Sequence, residues 1–126
     1  MTGNGRPLVL VADDDPDILS LVALRLERAG YEVVVARNGE EAVTRAVERT
    51  PDIALLDVMM PRLDGYEATA RLRAHDATRH MPVILLTARV QEADIARGIE
   101  AGADDYVKKP FSTQELRDRV QAALGR

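Results

Sequence analysis

IALLDVMM, residues 53–60, sets seven apolar residues around one carboxylate, Asp57, and continues as PRLDGYE, a proline and then a turn. Its first four residues, Ile53 to Leu56, are apolar without alternation. That is the pattern of a strand covered on both faces, as in a parallel sheet. The lone Asp57 raises a second question. Burying an unpaired carboxylate costs several kcal/mol or shifts its pKa until it is neutral.

Similar runs recur on either side. LVLVA (Leu8 to Ala12), VVVA (Val33 to Ala36) and VILLT (Val83 to Thr87) read as buried strands, and DYVKK (Asp105 to Lys109) as a weaker one at the sheet edge. Segments of helical period separate them. Asp15 caps the first helix with Pro16 at its first position, Ile18, Val22 and Leu26 share a face, and Gly30 stops it. Gly39 to Arg49 is the second helix, with Ala42, Val43, Ala46 and Val47 inward; Gly65 to His75 is the third. Gln91 to Ala101, poor in large apolar groups, is the fourth, with Gly102 as its break. Ser112 opens the fifth as a capping box with Glu115, and Leu116, Val120 and Leu124 face the core. Strict alternation implies an α/β fold, because parallel strands need crossover helices.

The 126 residues suit one domain, residues 1–126, with the first six a loose tail. Net charge is −4, against the basic face that nucleic-acid binding requires. No apolar run approaches the ~20 residues that span a bilayer. MTGNGRP lacks the apolar core of a secretory signal, and cysteine is absent. A cytoplasmic protein is expected.

The polar residues fall where the strands end. Asp13, Asp14 and Asp15 follow the first strand, Asp57 the third, Thr87 the fourth and Lys109 the fifth. Parallel strands put these ends on one rim, where ligands bind in open α/β sheets. The second strand ends only in Arg37-Asn38-Gly39, which places it at the far edge. Carboxylates gathered there repel one another unless a cation joins them, and an all-oxygen set without His or Cys suits Mg²⁺. Metal, Lys109 and Thr87 together would stabilise a phosphoryl group in transit. Asp57, central on the sheet, is then the nucleophile and forms an aspartyl phosphate. Its charge is tolerated because metal and lysine pair it.

Plainer readings stand beside these. Asp13 to Asp15 also serve as helix-capping acids, an account that fits Asp15 well and Asp13 poorly. Asp64-Gly65 is turn and helix-start chemistry, and His75 and His80 are surface residues. A proline directly after Lys109 suits a cis bond that aims the lysine inward.

VADDD, LLDVMMPRLDG, LLTA and GADDYVKKPF occur here in order and spacing, and with them the chain resembles the receiver domain of two-component response regulators over essentially its full length. The resemblance implies a flavodoxin-like, doubly wound sheet of order 2-1-3-4-5 with helices on both faces. It implies Asp57 as phosphoacceptor, Asp14 as direct Mg²⁺ ligand, Asp13 acting largely through water, and the Met59 carbonyl as third protein ligand. Lys109 matches the phosphoryl-binding lysine. Thr87 and Tyr106 match a switch pair whose ring turns inward as the hydroxyl moves toward the phosphoryl group. Met59 and Arg89 occupy positions that tune dephosphorylation in the family, and Ala88 is small enough to admit the phosphoryl group.

The implied partners are a sensor histidine kinase or histidine phosphotransfer protein, and a downstream effector protein or domain. The protein would not be a turnover enzyme, but would catalyse its own phosphorylation and slow dephosphorylation. RGIEAGADDY and ELRDR are similar to segments of receivers that dimerise. Arg97, Asp104, Asp105, Glu115 and Arg119 then either exchange salt bridges across a two-fold axis or form a solvated charged face. The rival from another class is a haloacid-dehalogenase-like phosphatase with Asp13 as nucleophile, to which Asp13-x-Asp15, a strand-end Thr and a Lys fit superficially.

Overall fold

In a computed structural model, which describes residues 5–88 and 90–125, strands and helices alternate along the chain. They are β1 (Leu8–Ala12), α1 (Pro16–Arg28), β2 (Glu32–Ala36), α2 (Gly39–Arg49), β3 (Ile53–Asp57), α3 (Gly65–Ala74), β4 (Val83–Thr87), α4 (Glu92–Ala101), β5 (Asp105–Lys108) and α5 (Thr113–Ala123). Every strand pairing is parallel, in the order β2-β1-β3-β4-β5. The expected α/β architecture, its strand order and both edge strands are borne out.

The alternation of Cβ atoms along each strand splits the core in two. Leu8, Leu10 and Ala12 join Ala42 and Ala46 of α2 and Tyr66, Ala68 and Leu72 of α3 on one face. Val9 and Val11 join Leu19, Val22 and Leu26 of α1 and Leu116 and Val120 of α5 on the other. Helices therefore cover both faces, and the central strands are apolar up to their carboxyl ends because neither side meets water. Each fully buried Leu or Ile contributes about 1.5–3 kcal/mol. The winding reverses between β1 and β3, and that reversal places the site.

Some boundaries move. β3 runs one residue further than its apolar run, so Asp57 is the last strand residue. β5 stops at Lys108, although the Lys109 N–H still donates to the Thr87 carbonyl at 2.8 Å. Pro110 has no N–H with which to continue the ladder. In α1 the buried face is Leu19, Val22 and Leu26, with Ile18 only half-buried, so the inward stripe starts one residue later than expected. Ser112 accepts from the Glu115 N–H at 3.0 Å, the first half of the expected box. A reciprocal box is formed by Asp64 and Glu67, which cap α3 with bonds of 2.8 and 3.1 Å. Gly30 and Gly102 adopt positive φ (99° and 104°) after α1 and α4, as their role as stops requires.

The helix α4 is the lightly anchored one. Gly98 is its only buried residue, and Ile99 is 68% exposed. Among the described residues, no helix is long and apolar enough to cross a membrane. Residues 1–4 of the expected tail and Arg89 lie outside the described residues.

Candidate functional site

Asp13 follows β1, and its N–H still bonds the Ala36 carbonyl of β2 at 3.1 Å, which fixes the first acidic residue at the rim. Asp57 ends the adjacent β3, whose ladder continues past it through the bond from the Val58 N–H to the Leu86 carbonyl at 3.0 Å. Both carboxylates are buried, at 3% and 7% exposure. From beyond β5, the Lys109 ammonium reaches both, donating to Asp13 Oδ2 and Asp57 Oδ1 at 3.0 Å each. The Lys109–Pro110 bond is cis, as its sequence suggested. Asp15 does the capping, accepting from the Asp17 and Ile18 N–H groups at 2.9 and 3.3 Å. Asp13 accepts only from the Asp15 N–H, at 3.0 Å, and otherwise faces the lysine.

Asp14 is exposed and completes the cluster. One oxygen from each of Asp13, Asp14 and Asp57 lies within 4.8 Å of the others. An octahedral Mg²⁺ bound at ~2.1 Å sets its donor oxygens ~3–4 Å apart, so the spacing fits after small side-chain adjustments. The donors are hard oxygens, and a single ammonium does not neutralise three carboxylates. The donor set therefore fits a divalent ion that keeps several waters.

Burial pushes the Asp57 carboxyl above its ordinary value, outweighing the opposing bond from Lys109; the negative charges of Asp13 and Asp14 push the same way. Burial alone would lower Lys109, but its bonds to Asp57 and Asp13 hold the ammonium above its ordinary value. The site thus favours the charged form of Lys109 and disfavours the charged form of Asp57. A buried carboxylate with a perturbed pKa beside a cation is the kind of group that clusters at functional sites.

Thr87 is buried at the end of β4, one residue past Leu86, which registers with Asp57. Tyr106, on β5 beside Leu85, packs against the core beneath α4, and its hydroxyl donates to the Asp94 carbonyl at 2.9 Å. Met59 follows Asp57 by two residues on an exposed loop. His75 and His80 are exposed, as expected.

Four of the five charged residues considered for a two-fold interface have partners within the chain. Asp105 accepts from Arg119 at 2.8 Å, Asp104 from Arg73 at 2.9 Å, and Arg97 lies 3.7 Å from Asp64. Glu115 is exposed. Two contributors escaped the sequence reading. Arg73 donates to the carbonyls of Gly102, Thr78, Arg79 and Met81 as well as to Asp104, which ties α3 to two loops. Tyr66 meets the Tyr106 hydroxyl directly. An arginine on an exposed helix and an aromatic at a helix start carry no signal by themselves.

A family model described as the response regulator receiver domain matches residues 9–121. The alkaline phosphatase synthesis transcriptional regulatory protein PhoP of Bacillus subtilis is 46% identical over 118 residues, which is 94% of this chain and 48% of PhoP. The chain thus spans about half the length of the curated relatives it matches. The Vibrio cholerae chemotaxis protein CheY4 superposes with a TM-score of 0.91 at 30% identity, over 94% of this chain and 99% of that one. The receiver domain of the Pseudomonas aeruginosa sensor histidine kinase PA1611 superposes with a TM-score of 0.90 at 34% identity, over 97% and 100% of the two chains. That structure has a magnesium ion coordinated in its active-site cleft. None of these matches supports a haloacid-dehalogenase-like phosphatase with Asp13 as nucleophile.

Proposed function

Because this chain belongs to the response regulator receiver domain family, we propose that Asp57 is its phosphoacceptor, taking a phosphoryl group from the phosphohistidine of a sensor kinase or histidine phosphotransfer protein. The carboxylate oxygen forms the new O–P bond as the N–P bond breaks, and the freed imidazole leaves neutral after taking up a proton. Lys109 holds a phosphoryl oxygen from one side, and the Thr87 hydroxyl closes from the end of β4. Asp14 and Asp57, with the Met59 carbonyl and with Asp13 through water, would hold Mg²⁺, which would supply positive charge for the phosphoryl oxygens. The observation that carries this reading is the single Lys109 ammonium bonded to both Asp13 and Asp57 beside a third carboxylate.

The product is a state rather than a released compound. The protein acts in the cytoplasm as a switch that catalyses its own phosphorylation and slow dephosphorylation. Phosphorylation alters the α4-β5-α5 face, through Thr87 and Tyr106, for an effector protein or domain or for a second copy of this chain. Pairing through Arg97, Asp104, Asp105, Glu115 and Arg119 would have to share or replace the internal bonds that Arg97, Asp104, Asp105 and Arg119 make. Intact-mass spectrometry after incubation with acetyl phosphate and Mg²⁺ tests the reading. One phosphoryl group should be gained, and none with EDTA; steady hydrolysis of phosphomonoesters without accumulation would overturn it.

A further inference from the structure

We propose that Tyr66 is a positioning residue for Tyr106: its hydroxyl, braced by the Arg97 guanidinium over its ring, holds the Tyr106 ring tucked beneath α4. This rests on the reading of Tyr106 as a switch residue, and adds to it a residue that does not touch the phosphoryl site.

Each phenol has one proton. Tyr106 gives its proton to the Asp94 carbonyl at 2.9 Å, whereas the Tyr66 hydroxyl is 3.4 Å from the same carbonyl and in close contact with the Tyr106 hydroxyl. The donor left for the Tyr106 oxygen is therefore Tyr66. Tyr66 is buried at the start of α3, where its hydroxyl faces Tyr106 and the Asp94 carbonyl.

The ring has a slot made for it. A Cβ at Gly98 would lie 2.5 Å from Tyr106 Cε2, so glycine leaves the space that the ring fills. The Arg97 guanidinium carbon lies 4.5 Å from the centroid of the Tyr66 ring, a cation–π distance, and the same side chain reaches Asp64 at the cap of α3. Gly98 alone is buried on α4, and Ala101 packs against the core, so these contacts add to a light anchorage.

Tyr66 is also joined to the phosphoacceptor. The preceding Gly65 donates to the Val58 carbonyl at 2.8 Å, and a Cβ at Gly65 would lie 2.7 Å from the Asp57 carbonyl oxygen. The start of α3, and Tyr66 with it, is thus packed directly against the backbone that carries Asp57.

The chain has three tyrosines, and Tyr31 packs in the opposite core. Protein labelled with 3-fluorotyrosine should give three ¹⁹F resonances, assigned by Phe substitution, with Tyr31 as an internal control of folding. Gly98→Ala, which fills the slot, supplies the signal of the expelled ring. Tyr66→Phe should move the Tyr106 resonance toward that signal by a change of about 2- to 10-fold in the tucked-to-expelled ratio, the effect of one hydrogen bond. Arg97→Gln should move it the same way by less. Tyr31 should not move. An unmoved Tyr106 in Tyr66→Phe overturns the proposal; should that variant misfold, an unmoved Tyr106 in Arg97→Gln does so. Intact mass after acetyl phosphate, on the same samples, separates the two ideas. Absence of label in the unsubstituted protein overturns the phosphoryl-switch reading, whereas label with an unmoved Tyr106 overturns the Tyr66 role alone.

Discussion

Lys109 Nζ stands 3.0 Å from Asp57 Oδ1 and spends a second bond of the same length on Asp13. One ammonium thus serves two buried carboxylates, with Asp14 close by. The arrangement is held in place by the fold and is electrostatically under-compensated.

Asp57→Asn should stabilise the protein at pH 7 in EDTA. The folded Asp57 pKa is raised, so its protonated form is the one the fold favours. Its stabilising contribution is full below the unfolded value, ~3.9, and is lost as pH rises through the folded one. At pH 7 the ionised group is a liability that Asn removes. A rise in Tm of about 2–6 °C by calorimetry is expected, the scale of ~1 kcal/mol in a domain of this size. A lower Tm would show that Lys109 already compensates the carboxylate fully.

Lys109→Met should do the opposite. Removing the cation from two buried acids costs about 3 kcal/mol in EDTA, and Mg²⁺ should restore more of that loss than it adds to the unsubstituted protein. The folded Lys109 pKa is raised, so its contribution is full below the unfolded value of ~10.4 and is lost as pH climbs through the folded one. Denaturant titrations should show an alkaline loss of stability that is missing in Lys109→Met. Equal alkaline profiles would refute the pairing.

Asp14→Asn separates metal binding from folding. Asp14 is exposed, so in EDTA its replacement should change stability by less than about 0.5 kcal/mol. Saturating Mg²⁺, at 100 times its Kd, should add about 2.7 kcal/mol to the unsubstituted protein, and most of that should vanish in the variant. An undiminished Mg²⁺ effect would remove Asp14 from the ligand set.

Arg73→Ala should cost about 2–4 kcal/mol, because it frees the carbonyls of Gly102 and Met81 along with Asp104. Arg73→Lys should rescue little, since an ammonium cannot reproduce the planar fork. Chemical denaturation measures both, and full rescue by Lys would mean that charge alone matters at this position.

The parts legible in the sequence share a cause. IALL, LVLVA and VILLT could only be strands covered on both sides, and once parallel their polar ends had to converge, which found Asp13, Asp57, Thr87 and Lys109. What escaped depends on directions that no period encodes. Ile18 and Leu19 are both apolar, and which one turns inward depends on how α1 leaves its Asp15 cap. Arg73 and Tyr66 look like ordinary surface and helix-start residues until α3 is set beside α4. Asp104 and Asp105 read as available charges, yet Arg73 and Arg119 of the same chain reach them first.

Locating the phosphoryl group tests the central claim most directly. After acetyl phosphate and Mg²⁺, the acyl phosphate is reduced with borohydride and the modified residue read from peptide fragments. A single modification at Asp57, absent in Asp57→Asn, is the expected result. A modification at Asp13 or Asp14 with Asp57 untouched would contradict it.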